Sequence, residues 1–300
     1  MLKIENLSKN IDEFEVLKSV NIHVEKGQIY GLAGTNGSGK TTVFKHIMKI
    51  YNQDIGNIYY DGKNIQNDDN YFSDFYYIQD DLFFPYNYSL NDLFNYEKML
   101  YSNSSKEKYE KLLKYFNIDS FKKLRSLSKG QKKQAAFILA ISTCPKVLLL
   151  DEIVDGLDAV VRRKFWNVIL EEVMDNNITV LISSHALTEL DNICDKIGIL
   201  HEGRIVKEES MEHLKENIIK VQFAIDEEFK IIESDEYNVV KFTKIGSVYF
   251  AVLKGNVEKF KKDLNNKYNV ILFDELSMNL EEIFISELGG LGYGTEEYKA

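Results

Sequence analysis

The stretch "GLAGTNGSGKTT", Gly31 to Thr42, lies between a short apolar segment, "GQIYGLAG", and "KTTVFKHIMKI", whose Val43, Phe44, Ile47, Met48 and Ile50 recur at helical spacing. Strand, glycine loop and helix follow in that order. Gly34, Gly39, Lys40 and Thr41 fit the spacing G-x-x-x-x-G-K-[ST]. Glycines at 34, 37 and 39 free the backbone to take positive φ and turn its N–H groups inward, and the helix start adds the positive end of its dipole. Such a concavity prefers anions. Lys40 brings a mobile charge for β- and γ-phosphates, and the Thr41 hydroxyl is placed to ligate Mg²⁺. A plain flexible turn explains none of these pairings.

A phosphate-binding loop becomes an ATPase only when a second strand brings one carboxylate to the metal and another to the attacking water. "VLLLDE" offers both: Val147 to Leu150 read as a strand buried on both faces, with Asp151 and Glu152 at its C-terminal end, where α/β proteins place ligands. Taken alone, the segment could equally be a strand ending in two solvated acids.

The surrounding pattern supplies the fold class. "SLNDLFNYEKML" and "SKEKYEKLLKYFNI" have apolar residues three or four apart, and each opens on a serine suited to an N-cap. The helix "GQKKQAAFILAIS", the run "KVLLLDE", the helix "AVVRRKFWNVILEEVM" and the strand "ITVLISSH" follow. Strands alternating with helices predict an α/β core with a parallel sheet. "MLKIENLSK", "VLKSVNIHV", "QIYGLAG" and "GNIYYDG", punctuated by Lys26-Gly27 and Asp61-Gly62, are expected to form an antiparallel β portion feeding the loop. Near residue 215 the pattern changes to "IKVQFAI", "YNVVKFT", "SVYFAVLK", a helix from about Val257 to Asn266, "YNVILFD" and a last helix around Leu280 to Leu288. The expected organisation is a first domain over 1–215, with a helical subdomain at about 80–130, and a small α+β domain over 216–300 ending in a mobile tail.

A net charge of −10 argues against a nucleic-acid-binding surface, so no nucleic acid is expected as a partner. The longest apolar run, "AAFILAI", has seven residues, so any membrane role needs a partner chain. The polar, acidic start does not look like a secretory signal, and a cytoplasmic location is expected. Cys144 and Cys194, fifty positions apart, read as ordinary reduced thiols.

The ordered set "GTNGSGKTT", "YIQDD", "LSKGQKKQ", "VLLLDEIVDGLD" and "LISSH" resembles the ATP-binding subunits of the ABC transporter family. "LSKGQ", Leu127 to Gln131, is the most specific member, since phosphate loops occur in many NTPases. The resemblance implies a P-loop NTPase core with the phosphate cradle at Gly34, Thr35, Asn36, Gly37, Ser38, Gly39, Lys40, Thr41 and Thr42. It implies that Asp151 holds Mg²⁺ through water, with Thr41 and Gln79 as further metal contacts, and that Glu152 is the general base or water positioner. By the same resemblance Gln79 senses the metal and γ-phosphate, and His185 bridges the γ-phosphate to the other subunit. Ser128, Gly130 and Gln131 of the signature, with Asp158 at the same seam, would bind the ATP held by an opposite subunit. Three departures stand out: Lys129 replaces the second signature glycine, Ile153 replaces a frequent proline, and the adenine-stacking aromatic is missing at Ile11, leaving Phe14 as the only ring close by.

The function so implied is ATP hydrolysis by a homodimer or heterodimer, powering export of a drug, peptide antibiotic or ion through a separate transmembrane permease, at the inner face of the membrane. The alternative is a soluble ABC ATPase with a mechanical or regulatory role. One further feature concerns the partner: twelve of the thirty-one residues from Tyr71 to Tyr101 are aromatic. Phe83, Phe84 and Tyr86 fall in an expected loop around Pro85, where bulky rings are costly to leave in water, and are expected to line a groove for the membrane subunit.

Overall fold

The computed structural model describes residues 1–283. The chain opens with a hairpin of β1 (Leu2–Ile11) and β2 (Phe14–Val24), turned at Asp12 with φ 54°. β3 (Ile29–Ala33) leads through the glycine loop into α1 (Lys40–Ile47). β4 (Ile55–Tyr60) and β5 (Lys63–Asn64) are joined by Asp61-Gly62, both with positive φ (48° and 78°) as a two-residue hairpin turn requires. β6 (Phe75–Ile78) is followed by α2 (Leu90–Leu100), α3 (Lys106–Phe116) and α4 (Lys129–Ser142). β7 (Val147–Asp151), α5 (Ala159–Asn176), β8 (Thr179–Ser184), α6 (Leu187–Leu190), β9 (Lys196–His201) and β10 (Arg204–Ser210) come next. Then follow α7 (Met211–Asn217), β11 (Ile218–Ile225), β12 (Tyr237–Ile245), β13 (Val248–Gly255), α8 (Val257–Lys267) and β14 (Val270–Leu276).

Two sheets build the first unit. One is antiparallel, in the order β2-β1-β4-β5; the other runs β10-β9-β3-β8-β7-β6, with β9, β3, β8, β7 and β6 mutually parallel. β3 therefore belongs to the parallel sheet, a correction to its expected place in the antiparallel portion. The reason lies in burial: all five of its residues are buried, as in β7, so it has covered faces on both sides where an antiparallel strand would alternate. β9 and β10, absent from the expected strands, form a hairpin at Glu202-Gly203, again with positive φ at both residues. Leu2 and Leu17 of the antiparallel sheet, Val43 and Phe44 of α1, and Leu149 and Leu181 of the parallel sheet share one apolar core.

The helical stretch starts where capping predicts. Ser89 and Asp92 close a capping box on α2, and the Ser105 hydroxyl accepts from the Lys108 N–H on α3. Rings join these helices to the rest: Phe94 stacks on Tyr109 with centroids 4.0 Å apart, and Phe137 of α4 stacks on Phe165 of α5 at 4.1 Å. Cys144 and Cys194 are both free thiols.

Contacts divide the chain after Glu208 and group residues 187–192 with the second unit. That division precedes residue 215 because Met211 and Leu214 of α7, both buried, belong with the later strands. The second unit is an antiparallel sheet in the order β12-β13-β11-β14, whose Phe223, Tyr249 and Leu253 pack with Phe260 and Leu264 of α8. Of the helix expected over 280–288, residues 280–283 are helical; the remainder and the terminal segment lie outside the described residues. No helix among the described residues is long and apolar enough to cross a membrane.

Candidate active site

The glycine loop is held open by backbone conformation. Gly37 and Gly39 take φ of 81° and 111°, and Gly39 stands at the N-cap of α1 with no side chain capping the helix N–H groups. Gly34 does not share the positive φ expected of it; its requirement is space. A Cβ there would come within 2.4 Å of Ser38 Oγ and 2.5 Å of the Leu200 carbonyl oxygen. The Ser38 N–H donates to the Thr35 carbonyl at 3.2 Å, which closes the loop on itself. Its hydroxyl is buried without a hydrogen-bond partner among the described residues. Asn36, Gly37 and Thr41 are exposed, and Thr35 and Thr42 are half-buried.

Lys40, by contrast, is buried. Its ammonium donates to the carbonyls of Gly34 at 2.7 Å and Thr35 at 3.2 Å, and lies 3.0 Å from Glu152 Oε1. The other Glu152 oxygen lies 3.3 Å from His185 Nδ1, just beyond the end of β8. Glu152 thus sits between the lysine and the histidine. Its backbone is left-handed, with φ 48°, and its N–H donates to both the carbonyl and the hydroxyl of Ser183, at 3.3 and 3.1 Å.

Asp151 is level with Ser183 in the parallel register of β7 and β8. The Ser183 hydroxyl donates to Asp151 Oδ1 at 2.6 Å and the Tyr77 hydroxyl to Oδ2 at 3.1 Å, so both carboxylate oxygens are oriented. Burial, and next the Asp151 charge, push the Tyr77 phenol well above its ordinary range. Sequence reasoning missed Ser183 and Tyr77: the first lies in "LISSH" and the second in the aromatic cluster, with nothing local to mark either.

Gln79 is exposed immediately after β6, the strand beside β7. Gly34, Gln79, Asp151, Glu152 and His185 are therefore gathered at the C-terminal edge of one sheet. The signature lies elsewhere. Ser128 caps α4, its hydroxyl accepting from the Gln131 N–H at 3.2 Å while Gln131 Oε1 accepts from the Ser128 N–H at 3.1 Å. Lys129 is exposed on the first turn, beside Gly130. Asp158 caps α5 through the N–H groups of Val160 and Val161. These bonds stay within their own helix starts. Phe14 faces Ile11 at the β1–β2 turn and is 77% exposed; Val16 and Leu17 of β2 lie against Gly39, where an added Cβ would meet them.

The donor set fits a nucleotide polyphosphate and a hard cation. A cradle shaped by glycine, uncapped helix N–H groups and a buried ammonium suit phosphate oxygens. The exposed Thr41 hydroxyl, past the loop after β3, and the oriented Asp151 carboxylate, at the end of β7 in the same sheet, are donors that suit Mg²⁺.

Phe83 and Phe84 line a groove of about 570 Å³ beside Gln79, together with Tyr76, Leu93 and Glu97. Tyr86 does not belong to that lining, a correction to its expected place: its ring lies 4.5 Å from the Arg125 guanidinium, a cation that the exposed loop offers it instead. The Tyr76 hydroxyl donates to Glu97 Oε1 at 2.8 Å. Burial pushes the Glu97 carboxyl up to about 7, opposed by that hydrogen bond.

The fold and edge just described define a P-loop nucleotide hydrolase of α/β class. A family model described as ABC transporter matches residues 17–155. The chain is 33% identical over 290 residues to the ABC transporter ATP-binding protein YtrB of Bacillus subtilis (strain 168), covering 97% of this chain and 99% of that protein. It is 30% identical over 305 residues to the bacitracin transport ATP-binding protein BcrA of Enterococcus faecalis, covering 97% of each. A solved structure described as the ATP binding subunit of an ABC transporter superposes with a TM-score of 0.66 at 25% identity, covering 72% of this chain and 92% of that one. The chain belongs to the ATP-binding proteins of the ABC transporter family and is an ATPase of that family.

The Glu97 carboxyl supplies a test of the groove's burial. Its folded pKa of about 7 exceeds the ordinary 4.5, so the stability associated with its protonated form is complete below pH 4.5 and is lost as pH rises through 7. Urea unfolding should show the free energy of unfolding falling across this window in the parent, by on the order of 1–3 kcal/mol, and a flatter profile for Glu97→Gln. Parallel profiles in the two proteins would show that Glu97 does not carry the shift.

Proposed function

We propose that the chain is the ATP-hydrolysing subunit of an exporter whose membrane-spanning part is a separate permease, and that its roles divide along the sheet edge. The carrying observation is the Lys40–Glu152 contact of 3.0 Å, which puts a phosphate-binding ammonium and a carboxylate in one pocket. The cradle from Gly34 to Thr42 wraps the phosphates, and γ-phosphate competes with Glu152 for Lys40. Glu152, released, accepts a proton from the attacking water as the water oxygen bonds to γ-phosphorus and the bond from γ-phosphorus to the β–γ bridging oxygen breaks, leaving ADP and phosphate. Thr41, Asp151 and Gln79 would hold Mg²⁺, which neutralises charge on the phosphate oxygens. Ser183 and Tyr77 fix the direction of Asp151. His185 holds Glu152 from the other side and would meet the γ-phosphate.

Ser128, Gly130, Gln131 and Asp158 face a different nucleotide in this reading, that of a second copy or a paralogous subunit. The start of α4 supports it, since the exposed Ser128 hydroxyl accepts from the Gln131 N–H and can still donate its own hydrogen to a phosphate oxygen at a helix N-terminus. Phe14 is the candidate adenine contact. BcrA is a bacitracin transport ATP-binding protein, which favours a peptide antibiotic or other drug over an ion as cargo. The complex would sit at the cytoplasmic face of the membrane, held by the permease through the ring-lined groove beside Gln79.

The division of roles is tested by two variants. Lys40→Ala should abolish ATP binding or turnover, whereas Glu152→Gln should bind Mg·ATP and accumulate as a dimer on size-exclusion chromatography. Turnover by Glu152→Gln at the parent rate would remove the carboxylate from the mechanism.

Ser128→Arg should block the seam between subunits and destroy turnover while leaving monomer ATP affinity within about threefold of the parent. Mixed dimers with Lys40→Ala confine both lesions to one composite site and keep the other intact. An affinity loss as large as that of Lys40→Ala would place Ser128 in its own subunit's site.

For the permease, Phe83→Ser combined with Phe84→Ser should reduce co-purification with the co-expressed membrane subunit, with basal ATPase and melting temperature retained. A large fall in melting temperature with loss of ATPase would assign the rings to the core.

A further inference from the structure

Lys133 is among the largest side chains fully withdrawn from solvent, and no step described above uses it. It stands on α4, two residues beyond Gln131. Its Nζ donates to the backbone carbonyls of Glu152 at 3.0 Å and Asp155 at 2.9 Å, and lies 3.6 Å from Asp80 Oδ1. Two of the ammonium's hydrogens go to carbonyls, and the Asp80 carboxylate supplies the opposing charge. An unpaired buried cation is heavily penalised, so these contacts hold α4 to the segments that follow β7 and β6.

The atoms it holds are significant. A left-handed backbone such as that of Glu152 persists in a non-glycine residue only where its surroundings impose it. Ser183 fixes the Glu152 N–H from one side, and Lys133 fixes the carbonyl from the other. With both flanking peptides held, the side chain is directed at Lys40 and His185. Ile153 does not lock φ as a proline would, and the two Lys133 bonds bracket the unlocked segment from Glu152 to Asp155.

We propose that Lys133 is a positioning residue for ATP hydrolysis: it fixes the Glu152 backbone and, through Asp80, ties that geometry to the signature helix α4 and the segment carrying Gln79. The proposal rests on the reading of Glu152 as the group that activates water. Lys133 acts through the Glu152 and Asp155 carbonyls and the Asp80 carboxylate. A displacement of α4 reaches Glu152 through this one side chain, giving the signature a direct mechanical route to the water-activating carboxylate within its own subunit.

The experiment is a double-substitution cycle on the full chain, with Lys133→Met, Glu152→Gln and the pair compared for Mg·ATP affinity and steady-state kcat. Lys133→Met should lower kcat about tenfold or more with affinity within about threefold. In the Glu152→Gln background it should change the residual rate by less than about twofold, because the group it positions is already absent. Equal fold-losses in both backgrounds, or an affinity loss in step with kcat, would overturn the proposal. A Glu152→Gln protein at the parent rate refutes the reading of Glu152 itself, which is seen before Lys133 is altered. If Lys133→Met does not fold by circular dichroism, Asp80→Asn on the exposed side of the contact decides: an about two- to fivefold lower kcat at unchanged affinity supports the tie, and an unchanged kcat overturns it.

Discussion

The level register of β3, β8 and β7 is the constraint on which the rest of the site depends. Leu32 and Asp151 both lie opposite Ser183, so two buried strands end within one residue of each other on either side of the strand between them. Beyond Ala33 and Asp151 neither strand pairs further with β8, and the chain leaves the sheet. It does so as the glycine loop after β3 and as the left-handed turn at Glu152 after β7. Ser183 holds both acids: its hydroxyl donates to Asp151 and accepts from the Glu152 N–H. A slip in register would separate these bonds, since each depends on the same cross-strand alignment.

Burial of charge follows from that geometry. Lys40, Lys133 and Asp151 are all almost completely buried, and each is surrounded by groups that satisfy it: loop carbonyls, turn carbonyls, or a serine and a tyrosine hydroxyl. A buried charge with fixed partners cannot relax freely, which suits a site that must meet a polyphosphate in one arrangement. It also makes the site sensitive to single substitutions, because removing one partner leaves the other group buried and unpaired.

The aromatic cluster shows the same sequence property used in different ways. Tyr71 and Phe75 are buried in the core between the sheets, Tyr77 orients a carboxylate, Phe83 and Phe84 line an exposed groove, and Tyr86 lies against Arg125. Composition over 71–101 flagged the region without separating these roles, because an aromatic ring is equally suited to a core, a hydrogen bond or an interface. Only the position of each ring relative to β6 and the following loop distinguishes them.

What the sequence determined by itself is what short-range chemistry decides. The spacing from Gly34 to Thr41 marked a glycine loop between a strand and a helix, Ser89 and Ser105 marked helix starts, Asp61-Gly62 marked a hairpin turn, and an unbroken apolar run placed Asp151 and Glu152 at a strand end. Tertiary structure decided the sheet to which β3 belongs, and it decided that Gly34 is needed for close approach where positive φ was expected. It also chose the partners of the acids. Ser183 is 32 positions from Asp151, Tyr77 is 74 positions away, and Lys133 is 19 from the carbonyl of Glu152. Over such separations no periodicity or capping rule links two residues; the alignment of neighbouring strands and the packing of α4 bring them within hydrogen-bond distance, and those are properties of the folded chain alone.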